Sequence, residues 1–271
     1  MKGLDYAWSH VPPWAVKAAG FGFAARYLSH DPSKNLSKAE ASALLADGVA
    51  IVVVWEDTAQ GALRGHAGGV ADALAADLQA RACGLPGAFI YFAADWDVAP
   101  AQQAAVDAYL DGCATVIGRA RTGLYGGFWP CSRARLAGKA SKFWGTVAWS
   151  GGNWAGGWVP DVMQGAQVSV GGVSVDLDTG GTDRADFGQW PRPVAPGNEA
   201  FDMGSFTEAQ LIKIVQTAVE SVETRDTLAT TALWWLEKAL TGTVPPGASP
   251  AEAALIASIQ ATVTKLATPA P

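Results

Sequence analysis

The chain is poor in the residues that metal and redox chemistry most often use, with three histidines and three cysteines in 271 residues. His10, His30 and His66 are scattered, with no H-E-x-x-H or comparable spacing, so no zinc site is expected. An acidic cluster could hold a divalent cation through oxygen ligands, but the residues commit to neither a metal nor a cofactor. Cys83, Cys113 and Cys131 are widely spaced, lack a C-x-x-C, and are odd in number, so they read as buried thiols rather than a disulfide framework. No G-x-x-x-x-G-K-[ST] is present, which leaves the glycines of Gly123–Gly127 without a phosphate-binding role. No uninterrupted apolar run is long enough to span a bilayer, so membrane insertion is not expected. Charged residues make up only 16%, and the net charge of −6 with a pI near 5.0 argues against nucleic acid as a partner.

What the chain does have is apolar residues, 49% of the total, and 31 glycines, which suit one large core with an appendage. β-like and helical segments alternate. Gly3–Tyr6 is followed by a helix start at Pro12-Pro13-Trp14, and Gly22–Leu28 reads as a strand. Ser37-Lys38-Ala39-Glu40 is a capping box for a helix ending at Gly48. Val49–Trp55 is nearly pure β-branched sequence, as expected of a parallel strand buried on both faces. Helices over about 63–83 and 101–119 flank a strand at Ala88–Asp97. Thr122–Gly126 and Phe143–Trp149 follow as strands, and Gln164–Val170 and Val173–Asp178 form a hairpin around Gly171-Gly172. Eight strands in this order predict an α/β fold, a (β/α)8 TIM-like barrel reduced in its last third by the loss of late helices. The barrel is expected over 1–192, with a linker over 193–205 and a helical C-terminal module, hairpin or coiled coil, over 206–271.

The segment Ala88-Phe89-Ile90-Tyr91-Phe92-Ala93-Ala94-Asp95-Trp96-Asp97 is an apolar run that closes on two carboxylates. Along a strand, residues i and i+2 face the same way with Cα atoms about 7 Å apart. Asp is depleted in strands and costly to bury, so the pair suggests a strand opening into a polar site. The other expected strand ends add Asp5, Arg26, Glu56, Tyr125, Trp149, Gln164, Asp176 and Asp178. Barrel enzymes place their chemistry at that end.

Seven segments in order carry a family resemblance. They are Gly3-Leu4-Asp5-Tyr6, Ala25-Arg26-Tyr27-Leu28, Val53-Val54-Trp55-Glu56, Ile90 to Asp97, Gly123-Leu124-Tyr125-Gly126-Gly127, Ala148-Trp149-Ser150 and Val175-Asp176-Leu177-Asp178. Together they resemble the uncharacterised glycoside-hydrolase-like barrel family of Gram-positive bacteria and their phages, which is similar in turn to the family-25 glycoside hydrolases, the muramidases. The resemblance covers residues 1 to about 190. It implies a peptidoglycan-directed glycosidase, a phage lysin or virion-associated wall-degrading enzyme, with Asp97 as general acid, Asp95 as stabilising carboxylate, and Asp5 and Asp176 tuning or positioning. Where the muramidases have Glu, this chain has Asp97, one methylene shorter, and a misplacement near 1 Å costs about 10²-fold in rate. With no apolar h-region after Lys2, no signal peptide is expected. The implied location is the host cytoplasm until lysis or incorporation into a particle, with action on the wall.

Glu56, also a rival acid, Arg26, Tyr125 and Asp178 complete the expected substrate contacts, with Trp149 at a strand end and Trp154 and Trp158 as aromatic faces on a Gly-rich lip, Ser150–Trp158. In residues 206–271, apolar residues at alternating four- and three-residue steps suggest self-association or docking onto a larger assembly. The alternative reading is an inactive barrel that binds cell-wall glycan or serves as a phage structural or assembly protein through that helical tail.

Overall fold

The computed structural model describes residues 1–181 and 185–192. Thirteen regular elements follow one another: β1 (Lys2–Tyr6), α1 (Pro13–Ala18), β2 (Phe23–Leu28), α2 (Lys38–Ala46), β3 (Ala50–Trp55), α3 (Gly65–Ala82), β4 (Ile90–Ala94), α4 (Gln103–Ile117), β5 (Thr122–Gly126), α5 (Phe128–Leu136), β6 (Lys142–Thr146), β7 (Val162–Val170) and β8 (Val173–Gly180). The strands close into a barrel in chain order. β1 to β7 are parallel, while β8 runs antiparallel to both neighbours, β7 and β1.

The expected (β/α)8 barrel is therefore corrected to a closed, mixed eight-stranded barrel with five α-helices among the described residues. The reason is local. Gly171 and Gly172, with φ of +58° and +83°, form a two-residue turn, and such a turn can join only antiparallel strands, because a parallel return needs a crossover of a dozen or more residues. Once β8 runs backwards, no helix is needed to carry the chain between β7, β8 and β1. The barrel lies within the compact unit Met1–Pro193. The linker and the helical module expected over 193–271, with its self-association or docking role, lie outside the described residues.

Two cores hold the barrel. Between strands and helices, Ile51, Val53, Trp55, Leu44, Val106 and Leu110 form part of a continuous apolar layer, and β3 is buried on both faces as its β-branched run predicts. Inside, Phe23, Phe89, Tyr91, Trp144 and Phe187 fill the lumen. Room for these rings comes from inward glycines. A Cβ at Gly3 would lie 2.3 Å from the Phe23 ring, one at Gly123 2.6 Å from Phe89, and one at Gly180 2.7 Å from Phe187. Phe187, which follows the barrel in sequence, is 1% exposed, and its carbonyl accepts a hydrogen bond from the Tyr91 hydroxyl at 2.7 Å. The aromatic packing fills the N-terminal end of the parallel strands, and the polar inward residues collect at the other. The three cysteines are buried thiols. Among the described residues no helix is long and apolar enough to cross a membrane.

The candidate functional site

Strand alternation selects which side chains face the lumen. On β1 these are Gly3 and Asp5, and on β2 they are Phe23, Ala25 and Tyr27, while Arg26 points the other way. In the β1–β8 ladder Asp5 lies across from Asp176, and Gly3 across from Asp178. Directly opposed residues share a face, so all three carboxylates stand on the inner face at neighbouring levels.

Asp5 is 2% exposed, and Asp178 is 3% exposed. The Tyr27 hydroxyl donates to Asp5 Oδ1 at 3.0 Å, and Gln164 Nε2 donates to Oδ2 at 2.8 Å. The Gln164 amide oxygen in turn accepts from the Tyr125 hydroxyl at 2.9 Å, which fixes the amide's orientation. Trp144 Nε1 donates to Asp178 Oδ1 at 3.0 Å, and the other oxygen of Asp178 is buried, with the Asp5 carboxyl as the neighbour to which a protonated Asp178 can hydrogen-bond. A bare carboxylate oxygen in that position is costly. Burial, with the charge of Asp5 behind it, pushes the Asp178 carboxyl well above the usual range. Burial also raises Asp5, to about 7, against the two donated hydrogen bonds and with a push from Asp176. The pair shares its protons at neutral pH.

Above this pair are carboxyls that solvent reaches. Asp95 follows the last residue of β4, half-buried, with its amide donating to the Ala59 carbonyl at 3.1 Å. Burial raises its pKa, Tyr125 and Lys34 oppose that, and Asp176 adds to it. Asp176 is itself raised by burial and eased by Gln167. Asp176 in turn pushes up both Asp95 and Asp5. Glu56, which follows β3, is raised by burial and by Asp95 although Lys34 Nζ donates to it at 3.0 Å. Lys34 is buried and lies over the rings of Tyr27 and Trp8, 5.2 and 5.4 Å from their centroids. Such a set of crowded carboxyls at graded protonation, beside one ammonium, can both donate and hold protons. Among the described residues no group of three or more His, Cys, Asp or Glu is arranged to hold a metal ion.

The structure thus brings together Asp5, Asp95, Asp176, Asp178, Glu56 and Tyr125 of the residues expected from sequence. It separates others. β4 ends at Ala94, so the alternation that would aim Asp95 and Asp97 alike stops short. Asp97 is exposed, and its charge acts on Arg133 of α5. Arg26, fully buried on the outer face of β2, is corrected from substrate contact to structural ion pair. Its Nε donates to Glu40 Oε1 at 2.7 Å, its Nη1 donates to the Tyr6 carbonyl, and the guanidinium lies 4.1 Å above the Tyr6 ring. Glu40 thereby serves Arg26, while the Ser37 side chain alone caps α2 by accepting from the Glu40 amide at 3.1 Å.

Trp154 and Trp158 are likewise corrected, from flexible lip to packed wall. Trp154 stacks edge-on against Phe128 and Trp158, with its Nε1 donating to the Thr146 carbonyl at 2.8 Å, and Trp158 Nε1 donates to Ser132 Oγ. Trp149 differs. It is exposed, and its φ of +54° is a left-handed conformation that costs a non-glycine residue about 1–2 kcal/mol. Buried Ser150 pins the turn, donating to the Thr146 carbonyl at 2.6 Å and accepting from the Phe128 amide at 2.9 Å. Sequence reasoning passed over Tyr27, Lys34 and Trp144 as site residues. Period-two parity along β2 points to Tyr27 in place of Arg26, and Trp144 has the same parity on β6. Lys34, in the loop before α2, leaves no such trace.

A family profile, the Rv2525c-like glycoside hydrolase-like domain, matches residues 14–241. No curated protein matches the sequence. Among solved structures, the Tat-secreted protein Rv2525c of Mycobacterium tuberculosis, crystallised in complex with L-tartrate, is 29% identical, with a TM-score of 0.64 over 70% of this chain and 98% of its own. An uncharacterised protein of B. stearothermophilus shares the fold at 20% identity and a TM-score of 0.50, over 69% of this chain and 99% of its own. A family-25 glycosyl hydrolase of Streptococcus pneumoniae is more distant, 13% identical with a TM-score of 0.49 over 67% of this chain and 87% of its own. With the profile spanning most of the barrel and its carboxylate-lined end, the chain belongs to the Rv2525c-like glycoside hydrolase-like family.

Proposed function

We propose that the open end of the barrel binds a glycan and cleaves it, and that the glycan is bacterial cell-wall peptidoglycan. The observation that supports this reading is the pairing of two half-buried carboxyls, Asp95 and Asp176, both raised by burial, with the charge of Asp176 raising Asp95 further. Glycoside hydrolysis needs that division, with one carboxylic acid beside the glycosidic oxygen and one carboxylate to meet the oxocarbenium-like centre or to orient water. Asp95 is the proton donor in this scheme, in place of Asp97, and Asp176 is the stabilising carboxylate. Asp5 and Asp178 do not reach the substrate. They are too buried, and act by holding negative charge and protons beneath the reacting pair. Exposed Trp149 offers an indole face for a sugar ring at the rim.

The biological setting that fits this reading is a wall-degrading lysin or virion-associated enzyme, with residues 206–271 available for targeting, docking or self-association. A second reading, glycan binding without hydrolysis, draws on Asp97, which is an Asp, is exposed, and has its charge acting on Arg133 of α5. Mass spectrometry of soluble fragments released from purified peptidoglycan separates the two. Fragments with a new reducing-end muramic acid are expected, whereas co-sedimentation with the wall and no fragments would leave only the binding role.

A further inference from the structure

The β7–β8 hairpin extends past the barrel. β6 pairs with β7 only as far as Thr146↔Gln164, yet β7 runs on to Val170. Residues Gly165 to Ser169 are all exposed. The closing pair of a two-residue hairpin exchanges both backbone hydrogen bonds, and the pairs then alternate. Val170↔Val173 is that closing pair here, so at Ser169↔Ser174 and Gln167↔Asp176 the β7 amides and carbonyls point away from β8. No backbone hydrogen bond among the described residues reaches that edge.

The outer part of this edge is packed at its tip and carries no charge. Val170 and Val175 are buried with Val11 and Ala15 in the outer core, and a Cβ at Gly171 would lie 3.3 Å from the Ala15 side chain, so the hairpin tip is seated on α1. Native edge strands are commonly blunted by a charge, a proline, a β-bulge or extreme shortness. The run Gly165-Ala166-Gln167-Val168-Ser169-Val170 has no charge and no proline, and its one bulge, between Gln164 and Gln167, lies at its base and leaves Gln167 to Val170 in regular register. It is also continuous with the site. Gln164, one residue before it, hydrogen-bonds Asp5, and Gln167 and Ser169 share the face of Asp176. At about 3.3 Å per residue, a substituent on a sugar lying over the carboxyls reaches the edge within a few residues.

We propose that this edge takes up the extended peptide arm of a glycopeptide as an added strand, its sugar lying over Asp95 and Asp176. The glycopeptide class rests on the glycan reading above. Main-chain pairing of this kind supplies affinity with little dependence on the peptide's side chains. The acidic mouth favours an arm that carries a free amine.

The test is calorimetric, on the full chain, with three probes: an N-acetylglucosaminyl-N-acetylmuramic acid disaccharide bearing its peptide, the same disaccharide without it, and the free peptide. The peptide-bearing sugar is expected to bind at least about tenfold tighter than the bare one. Ser169→Pro removes one outward amide and touches no hairpin bond, and it should abolish that advantage while leaving bare-disaccharide binding unchanged. Val168→Lys, which places a charge on the edge, should do the same, and Ser169→Ala should retain the advantage. Equal binding of the two sugars, or an advantage that survives both edge variants, overturns the proposal while leaving the glycan reading intact. A dimer that becomes monomeric on Ser169→Pro assigns the edge to a second copy and overturns it too. If neither sugar binds but the free peptide does, in a Ser169→Pro-sensitive manner, the glycan reading falls and the edge stands as a peptide site; if nothing binds, both fall.

Discussion

Asp178 lies directly across the β1–β8 ladder from Gly3, a position where any side chain would run into Phe23. The carboxyl is thus held in the lumen opposite a residue that contributes no atoms of its own. Gly3→Ala should destabilise the barrel by about 1–3 kcal/mol through overpacking, because the new Cβ falls 2.3 Å from an aromatic ring that is itself fully buried. Denaturant unfolding checks this, and an unchanged midpoint would mean that Phe23 can move aside.

The protons on Asp5 and Asp178 make stability depend on pH in an uncommon direction. In the unfolded chain both carboxyls titrate near 4; in the folded chain burial raises both, Asp5 to about 7 and Asp178 well above its usual range. Between those limits the folded state binds more protons than the unfolded one, so stability falls as pH rises from about 4 to 7. Asp178→Asn keeps an acceptor for Trp144 and removes the ionisable group. It should leave stability at pH 4 nearly unchanged and raise it at pH 8 by on the order of 1–2 kcal/mol. Thermal unfolding of both proteins across this range decides the matter, and a variant that loses stability at pH 8 would refute the shared-proton pair.

Arg26 and Glu40 form a buried ion pair on the outside of the barrel. Arg26→Met should cost up to about 3 kcal/mol by leaving the buried Glu40 carboxylate with only the Tyr6 hydroxyl and His10 as partners, and the double variant Arg26→Met/Glu40→Met should recover much of that loss. Glycan binding per folded molecule should change less than about twofold, since neither residue faces the lumen. A selective loss of binding in a stable Arg26 variant would return Arg26 to the site.

Much of this was legible in the sequence because it depends on local pattern. The β-branched run of β3, the Ser37 cap and the Gly171-Gly172 turn each form where local chemistry requires. Five of the carboxyls at the open end, Asp5, Glu56, Asp95, Asp176 and Asp178, could be named in advance as polar residues closing apolar strands. Strand direction and strand length were harder to read. Two glycines specify an antiparallel return, which no count of apolar runs reveals, and β4 stops at Ala94 because Asp95 turns to bond the Ala59 carbonyl, a partner 36 positions back in the chain. That early stop is what separates Asp97 from Asp95. Arg26 misled for a related reason, since a charge near a strand end says nothing about which face it takes.

The same separation gives the sharpest test of the proposed chemistry. If Asp95 is the proton donor and Asp176 the stabilising carboxylate, Asp95→Asn and Asp176→Asn should each lower the rate of reducing-end release from peptidoglycan by about 10²–10⁴-fold. Asp97→Asn should stay within a few-fold of the wild type, because its carboxyl is exposed and acts on Arg133. The acid must be protonated to act, so activity should decline on the alkaline side as pH passes the raised pKa of Asp95, and that limb should vanish in Asp95→Asn. Binding of uncleaved glycan should survive in both active-site variants, which separates lost chemistry from lost affinity. If Asp97→Asn is inactive and Asp95→Asn is not, the proton is delivered from the residue facing α5, and the turn after β4 must rearrange when substrate binds.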